Sequence, residues 1–321
     1  MTNLLLPQEG TTAMKIGFIG LGMMGRGIAA NFLRAGHEVF VHDLSETAVA
    51  SFVERGAVAV GSPKALAEAS ELIFTSLPTP GDVLAVNGGE NGLAAGLRRG
   101  TIWFDLSTNS VDVVRRLHKE LAAIGVDFLD APISGGPGGA ASGKLAIWIG
   151  GSKSAFERCE PLLDQVADQV RYIGEIGAGT ITKLAHNMAS TAIKSVMAEV
   201  LTMGVKAGME PLSLWEAMRS GAAGRMRGFD NIQRFLAGNT EQSSFALRLM
   251  QKDINLALQL GRELDVPMRV CAAVAQDVHE AMSRGLGAHD SQSVLVLQQE
   301  RAGIAPIAIP EAEIRRVLAE G

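Results

Sequence analysis

Short apolar segments alternate with helix-like segments through the first half of the chain. Residues 14–19 form an apolar run, residues 23–34 have the spacing of an amphipathic helix, and residues 38–41 are apolar again. This order predicts strand, helix and strand, which is the parallel βαβ unit. Five further short segments are apolar or β-branched and stand between helix-like or turn-rich stretches: residues 72–75, 101–104, 126–129, 145–149 and 170–173. The alternation predicts an α/β fold with a doubly wound sheet.

The pattern changes near residue 177. Residues 180–206 are mostly good helix formers with apolar positions three and four apart, and they predict one helix about 40 Å long. A helix of that length can bridge two domains. Residues 212–319 predict further helices separated by glycine-containing turns, without the two-residue period of a strand. The second half of the chain therefore predicts an all-α domain.

Glycine is concentrated in the first half. The chain has 321 residues and 37 glycines, of which 26 lie at or before Gly179 and 11 lie after it. An average protein has about 7% glycine, so the first half contains an excess of positions where the backbone turns tightly or is closely approached.

Charge and cysteine content exclude several classes of protein. The net charge is −5 and no long block of like charges occurs, so neither a nucleic acid nor an anionic membrane is an expected partner. The apolar run at residues 4–6 is too short for a signal peptide or a membrane span, and residues 1–13 are predicted to be an N-terminal extension. Two cysteines and six histidines without metal-ligand spacing indicate a cytoplasmic protein with no metal site.

A G-x-G-x-x-G motif directly follows the first predicted strand and opens the first predicted helix, at Gly20, Leu21, Gly22, Met23, Met24 and Gly25. In this position the first glycine permits the turn, the second lets a pyrophosphate approach the backbone, and the third lets the helix pack on the strand. A glycine-rich turn without a ligand is the structural alternative. We interpret the motif as a dinucleotide site and predict a Rossmann-type domain over residues 14–178. The all-helical domain over residues 179–321 then begins with the long interdomain helix.

Asp43 follows the second predicted strand, where dinucleotide-binding proteins place an acidic residue on the adenosine ribose. A carboxylate there accepts hydrogen bonds from the ribose hydroxyls and repels a 2′-phosphate. Neither Leu44 nor Ser45 supplies a cation for that phosphate. We therefore expect NAD, with NADP less favoured. Asp43 could instead be a helix N-cap, a role that Ser45 would fill equally well.

Two other groups of residues suggest substrate chemistry. Ser134, Gly135 and Gly136 follow a predicted strand, where a hydroxyl and successive N–H groups can bind a carboxylate, although a turn that needs positive φ would also explain the glycines. Lys183 and Asn187 are four residues apart and share one face of the long helix. A lysine near a helix start has a lowered pKa, which suits acid–base chemistry, whereas the alternative is a solvated lysine.

These segments together resemble the β-hydroxyacid dehydrogenase family, which includes 3-hydroxyisobutyrate dehydrogenases and tartronate semialdehyde reductases. The resemblance covers roughly residues 15–305. It rests on the glycine motif that begins at residue 17, on residues 130–136 (DAPISGG), on residues 177–187 and on Lys252-Asp253. The family implies reversible hydride transfer between a nicotinamide cofactor and a small β-hydroxy acid, which gives an aldehyde acid, and it implies homodimers or homotetramers.

Roles for individual residues also follow from the resemblance. It implies that Lys183 exchanges the proton of the substrate hydroxyl and that Asn187 holds the substrate. It implies that Leu77 and Pro78 contact the adenosine side of the cofactor, that Thr108 reaches the nicotinamide ribose, and that Lys252 lies over the cleft. The loops that contain Leu77-Pro78 and Thr108 could also be ordinary strand-to-helix connections, and Lys252 could be a surface lysine.

One segment departs from the family pattern. Many relatives carry a Ser-Trp pair after the position of Ala223, where this chain has glycine and arginine: Gly224, Arg225, Met226, Arg227 and Gly228. Arg225 or Arg227 could bind a second anionic group of the substrate, or both could be solvated.

Two other classes of protein remain open. An imine reductase usually has another residue at the lysine position, and a non-catalytic dinucleotide-binding module would be free to lose Lys183, Asn187 and Lys252.

Overall fold

The computed structural model describes residues 13–225, 232–263 and 265–319. It contains nine strands: β1 Lys15–Ile19, β2 Glu38–His42, β3 Val58–Ala59, β4 Leu72–Thr75, β5 Ile102–Asp105, β6 Asp127–Asp130, β7 Ile133–Ser134, β8 Ala146–Gly150 and β9 Gln169–Gly174. The helices of the first half are α1 Gly25–Arg34, α2 Glu46–Val53, α3 Pro63–Ala69, α4 Pro80–Asn87, α5 Val111–Ala122, α6 Gly136–Ser142 and α7 Lys153–Leu163. They are followed by α8 Ala178–Lys206, α9 Pro211–Ser220, α10 Ala222–Arg225, α11 Gln233–Leu236, α12 Leu247–Glu263, α13 Arg269–Ser283, α14 Val296–Arg301 and α15 Glu311–Ala319.

The strands form one sheet in the order β3-β2-β1-β4-β5-β6-β8-β7, with β9 paired to β8. The pairs from β3 to β6 are parallel, whereas β8 runs antiparallel to β6 and β7. The strand order reverses between β1 and β4, which creates a crevice at their carboxyl ends. The predicted Rossmann-type sheet is confirmed.

The central strands are buried on both faces, which explains their unbroken apolar sequences. Phe18, Phe74 and Phe104 lie on neighbouring strands and stack on one face, with ring centroids 6.2 and 5.4 Å apart. Trp103 points to the opposite face and meets Phe128 edge-on at 4.8 Å. Each face of the sheet thus has its own apolar core.

By its contacts the chain divides into two units between Met188 and Ala189, inside α8. The sequence prediction placed the boundary at residues 178/179, where the same helix begins. The predicted helix over residues 180–206 is confirmed as α8. In the part of the second unit that is described, the named elements are all helical, as predicted, and a small core joins Leu247, Val278, Ala281 and Leu297.

Two carboxylates connect separate segments of the second unit. Glu199 of α8 accepts the N–H groups of Val270 and Cys271 at 2.8 and 3.0 Å, at the start of α13. Asp290 is 1% exposed and accepts the N–H and hydroxyl of Ser244, both at 2.8 Å. Among the described helices, none has the length and apolar character needed to span a membrane.

Candidate active site

The G-x-G-x-x-G loop connects β1 to α1 at the crevice, and each glycine has a separate structural reason. Gly20 has φ +96°, which favours glycine. A Cβ on Gly25 would overlap the carbonyl oxygen of Gly20 and lie 3.0 Å from the Phe18 ring. A Cβ on Gly22 would meet no atom within 4 Å, so this backbone faces open space. The loop fits a bound pyrophosphate, because the second glycine is the one that leaves the approach free.

Asp43 connects the end of β2 to this loop. Its Oδ2 accepts the N–H of Leu21 at 2.6 Å, and its Oδ1 accepts the N–H of Ser45 at 2.7 Å. Ser45 itself is the N-cap of α2, where its hydroxyl accepts the N–H of Ala48. Ser45, and not Asp43, is therefore the N-cap of α2. The Asp43 carboxylate lies at the edge of the crevice.

A cavity of about 900 Å³ lies in the crevice, between the glycine loop, the end of β2 and α4. Seven predicted cofactor residues line it: Gly20, Gly22, Met23, Met24, Asp43, Leu77 and Pro78. Leu21 and Gly25 are buried and support the loop from behind. Three carboxylate residues, Asp43, Asp82 and Glu90, are among the lining residues, and none of the described lining residues is lysine or arginine.

Sequence reasoning missed one wall of this cavity. Residues 88–92 line it together with Asp82, Ala85 and Val86 of α4. The available signal was the glycine-rich run GGENG, which lies outside the four motifs that carry the family resemblance.

A second, smaller cavity of about 300 Å³ adjoins the first, since both are lined by Met24 and by residues 76–78. Its remaining lining residues come from the loop after β5, from residues 133–136, which form the predicted substrate loop, and from α8: Leu106, Ser107, Thr108, Ile133, Ser134, Gly135, Gly136 and Lys183. The structure thus places Lys183 in one cavity with Thr108 and with the three predicted carboxylate-binding residues.

A buried hydrogen-bond network lies beneath this cavity. The Trp103 indole donates to the Thr75 hydroxyl at 2.9 Å, so the Thr75 hydrogen is free to donate to Asp105 Oδ1, at 2.8 Å. Asn109 donates to Asp105 Oδ2 at 2.8 Å. Asp105 is fully buried, and desolvation raises the pKa of its carboxyl against the opposing effect of hydrogen bonds from Ser107, Asn109 and Thr75.

Ser107 extends the network to the loop after β4. Its backbone N–H donates to Asp105 Oδ1 at 3.2 Å, and its hydroxyl accepts the N–H of Leu77 at 2.9 Å. Thr108 is the next residue and is exposed. The two loops predicted to contact the cofactor are therefore joined to each other and anchored to the sheet.

Lys183 is half-buried in the second turn of α8, and its partial burial lowers the pKa of its ammonium group below the ordinary lysine value. Asn187 lies one turn later and is exposed, with its Oδ1 3.3 Å from Nδ1 of His186. The His186 ring packs against Trp148, with centroids 5.1 Å apart. Asn187 is not among the residues that line the smaller cavity.

Three predicted residues belong to the second unit. Arg225 is the last residue of α10, and Lys252 lies within α12. The side chains of both, and all of Arg227, lie outside the described part of the structure. In the described residues, no group of three or more His, Cys, Asp or Glu side chains is arranged to hold a metal ion.

Comparisons with known proteins agree with this geometry. Residues 15–174 match the NAD-binding domain of 6-phosphogluconate dehydrogenase, and residues 177–297 match the family described as NAD-binding of NADP-dependent 3-hydroxyisobutyrate dehydrogenase. The 2-(hydroxymethyl)glutarate dehydrogenase of Eubacterium barkeri is 35% identical over 294 residues, 91% of this chain and 97% of that protein. The 3-hydroxyisobutyrate dehydrogenase of Pseudomonas aeruginosa is 36% identical over 249 residues, 76% of this chain and 84% of that protein.

The chain belongs to the β-hydroxyacid dehydrogenase family. Membership confirms the resemblance drawn from the sequence motifs and makes the protein an NAD(P)-binding oxidoreductase. Among solved structures, an imine reductase from Pseudomonas sp. has the same fold, with a TM-score of 0.77 and 21% identity over 88% of this chain and 99% of that chain. At that identity the likeness concerns the fold alone.

Proposed function

We propose that the protein is an NAD-dependent dehydrogenase that interconverts a small β-hydroxy acid and the corresponding aldehyde acid, with Lys183 as the general acid and base. The observation that carries the proposal is the smaller cavity, where Lys183 lies with the Ser134–Gly136 loop and with Thr108. Both cavities share Met24 of the glycine loop and residues 76–78 of the loop after β4. A cofactor bound along the crevice would therefore pass from one cavity into the other.

The residues of the crevice suit NAD. Gly20, Gly22 and their neighbours would hold the pyrophosphate, and Asp43 would bind the adenosine ribose. When bound, NAD accepts a hydride from the substrate carbon on its nicotinamide ring. The acidic lining of the larger cavity, which includes Asp82 and Glu90, disfavours the 2′-phosphate of NADP by charge repulsion.

A substrate carboxylate would bind at the end of β7. Ser134 offers a hydroxyl, and the N–H groups of Gly135 and Gly136 follow directly. Both glycines have positive φ, +134° and +66°, which is the turn geometry that only glycine adopts easily. A Cβ on Gly136 would meet nothing within 4 Å, so this part of the loop is open to a ligand. The requirements of the turn and of an anion site are compatible here.

Lys183 would move the proton. In the direction of oxidation, the neutral amine accepts the proton from the oxygen of the substrate hydroxyl, while the carbon that bears this hydroxyl gives up its hydride to the nicotinamide. In the direction of reduction, the ammonium returns a proton to the carbonyl oxygen. The lowered pKa of Lys183 favours this exchange, because more of the amine is neutral near pH 7. Asn187, on the same helix face, would position the hydroxyl, and Lys252 would lie over the cleft.

Arg225 and Arg227 are proposed to bind a second anionic group of the substrate. The relative in Eubacterium barkeri is named for 2-(hydroxymethyl)glutarate, which is a dicarboxylate. Arginine forms bidentate, charge-assisted hydrogen bonds with carboxylates, and two arginines in a glycine-flanked turn would supply them. A dicarboxylic β-hydroxy acid is thus the substrate class that this reading favours.

The proposed assembly is a homodimer or homotetramer in the cytoplasm. In the described residues, α8 exposes large apolar side chains along its length: Ile181, Leu184, Met188, Ile193 and Met197. A second copy of the chain would cover apolar surface of this kind. Both cysteines, Cys159 and Cys271, are free thiols, as expected in a reducing compartment.

The proposed activity is tested by mixing the purified protein with NAD or NADP and a panel of β-hydroxy acids with one or two carboxylates. We expect reduced cofactor to form with NAD, to form faster with the dicarboxylates, and to lose that advantage selectively in Arg225→Ala or Arg227→Ala. Arg116→Ala is the control, because Arg116 is exposed and pairs only locally with Glu120 at 2.8 Å. An equal loss on both substrate types would refute the second anion site, and reduction of cyclic imines alone would favour an imine reductase.

A further inference from the structure

The start of α8 is capped by a carboxylate from a distant strand. Asp130 ends β6 and is 1% exposed. Its Oδ1 accepts the N–H of Gly177 at 2.8 Å, and its Oδ2 accepts the N–H of Thr180 at 2.6 Å. A helix start leaves such N–H groups without partners inside the helix, and an ionised acceptor binds them more strongly than a neutral one.

This cap differs from those of the neighbouring helices. Helices α2, α3, α4, α5 and α7 are each capped by the hydroxyl of their own N-cap residue: Ser45, Ser62, Thr79, Ser110 and Ser152. Asp130 lies 47 and 50 residues before the groups that it binds. A local cap stabilises a helix wherever the helix lies, whereas a cap from another strand also fixes where the helix begins.

The backbone approaches this carboxylate closely at two glycines. A Cβ on Gly150 would overlap Asp130 Oδ1 and lie 2.8 Å from the carbonyl oxygen of Glu175. A Cβ on Gly179 would overlap the carbonyl oxygen of Trp148 and lie 2.8 Å from that of Asp130. The start of α8 is therefore held directly against β6 and β8.

The same carboxylate connects the two segments that carry the parts of the proposed active site. Along the chain, Asp130 shortly precedes Ser134, and Thr180 is one helical turn before Lys183. Ser134 and Lys183 line the same cavity, whereas Asp130 is not among its lining residues. Any shift of the first turn of α8 would change the separation of Lys183 from the Ser134 loop.

We propose that Asp130 is a positioning residue: its carboxylate holds the first turn of α8 on the end of β6 and so sets where Lys183 lies relative to the substrate loop. The kinetic consequence of this role rests on the proposed dehydrogenase function. Asp130 acts through the helix and contacts neither the proposed cofactor site nor the proposed substrate site.

Asp130→Asn tests the proposal, because the amide keeps the size of the side chain but has one acceptor oxygen for two N–H groups. We expect kcat to fall about 10²-fold, as displacement of a reacting group by about 1 Å can cause. The KM for NAD and the dissociation constant of NADH should stay within about twofold, since the glycine loop and Asp43 lie on other strands. Asp127→Asn is the matched control: Asp127 begins the same strand, is partly exposed and pairs with Arg158 at 3.1 Å.

A second readout does not depend on turnover. Amide hydrogen exchange in peptides that span residues 177–183 should be at least about tenfold faster in Asp130→Asn, whereas peptides from β1 and α1 should be unchanged. If the wild type oxidises no β-hydroxy acid, the proposed function fails, and the exchange experiment still decides whether Asp130 holds the first turn of α8.

Gly150→Ala displaces the carboxylate and keeps its charge, so it should give the same loss of kcat with unchanged NADH binding. Gly61→Ala is its control, because a Cβ there meets nothing within 4 Å. Unchanged kcat in both Asp130→Asn and Gly150→Ala, or a parallel loss of NADH binding and turnover, would overturn the proposal. So would an Asp130→Asn protein that does not fold, because the role of Asp130 would then be structural.

Discussion

The two units bury their apolar side chains differently. In the first unit the sheet carries fully buried aromatic rings on both faces, such as Phe74 on one and Trp103 on the other. In the second unit the described core is one small cluster around Leu247. Meanwhile α8, which passes from one unit to the other, leaves Leu184 and Met197 43% and 50% exposed.

The difference in burial corresponds to a difference in function between the two units. The first unit contains both cavities and Lys183, on a sheet that is complete within one chain. Arg225 is proposed to bind the substrate, Lys252 is proposed to lie over the cleft, and both belong to the second unit. We infer that the chemistry is set by the first unit, that substrate choice depends also on the second, and that assembly depends on α8, which belongs to both.

The largest effect on stability is expected from a substitution in the core of the sheet, compared with one on the exposed side of α8. Phe74→Ala removes a fully buried ring from the first unit and should lower the free energy of unfolding by about 3–5 kcal/mol. Leu184→Ala removes a half-exposed side chain and should cost less than about 1 kcal/mol in a monomer. Urea unfolding at two protein concentrations measures both. If a second copy covers α8, the cost of Leu184→Ala grows with protein concentration, and a concentration-independent cost would argue against that assembly.

The next effect concerns the glycine loop. Gly25→Ala would place a methyl group against Gly20 and Phe18. We therefore expect the free energy of unfolding to fall by about 1–3 kcal/mol and the affinity for NADH to fall with it. Gly22→Ala meets no protein atom and should leave the melting temperature unchanged while NADH affinity falls at least about tenfold. Thermal unfolding and a fluorescence titration with NADH separate the two. Equal behaviour of both variants would contradict the separate roles of these glycines.

The smallest effect compares one buried carboxyl in each unit. Burial raises the pKa of Asp105, so from about pH 3.9 upward the folded state keeps a proton that the unfolded chain has lost. The stability of the wild type should therefore fall, relative to Asp105→Asn, as pH rises through that range. For Asp290, burial would raise the pKa, but hydrogen bonds from Ser244, Gln292 and Phe245 lower it overall. Its contribution is present above the ordinary carboxyl pKa and is lost as pH falls.

Urea midpoints measured from pH 3 to 7 for the wild type, Asp105→Asn and Asp290→Asn test these signs. The two difference curves should slope in opposite directions. Parallel curves would show that the two carboxyls do not differ in this way.

Much of the fold could be predicted because its signals are local. Strands β4 and β5 are buried on both faces and have unbroken apolar sequences, and α8 shows the helical period over many turns. Strands β3 and β7 have two residues each, which is too short for any period. The antiparallel direction of β8 depends on its neighbours in the sheet and leaves no mark in its own sequence.

In the candidate site, too, local features could be predicted from the sequence and long-range contacts could not. Gly20, Asp43 and Ser134 could be predicted as site residues from the sequence because they stand at fixed places after predicted strands. The contacts of Asp130 with Gly177 and Thr180 were not found, because they join residues far apart in the chain. Hydrogen bonds of that kind become visible only when the sheet brings the strand and the helix together.

The central claim is that Lys183 supplies the proton chemistry in a cofactor crevice that forms without it. The direct measurement is kcat with NAD and a β-hydroxy acid, taken beside the NADH dissociation constant, for the wild type, Lys183→Ala and the control Lys153→Ala, whose lysine side chain is 66% exposed. We predict that Lys183→Ala lowers kcat by about 10²–10⁴-fold and leaves NADH affinity nearly unchanged, with Lys153→Ala like the wild type. Wild-type turnover in Lys183→Ala, or loss of NADH binding together with activity, would contradict the claim.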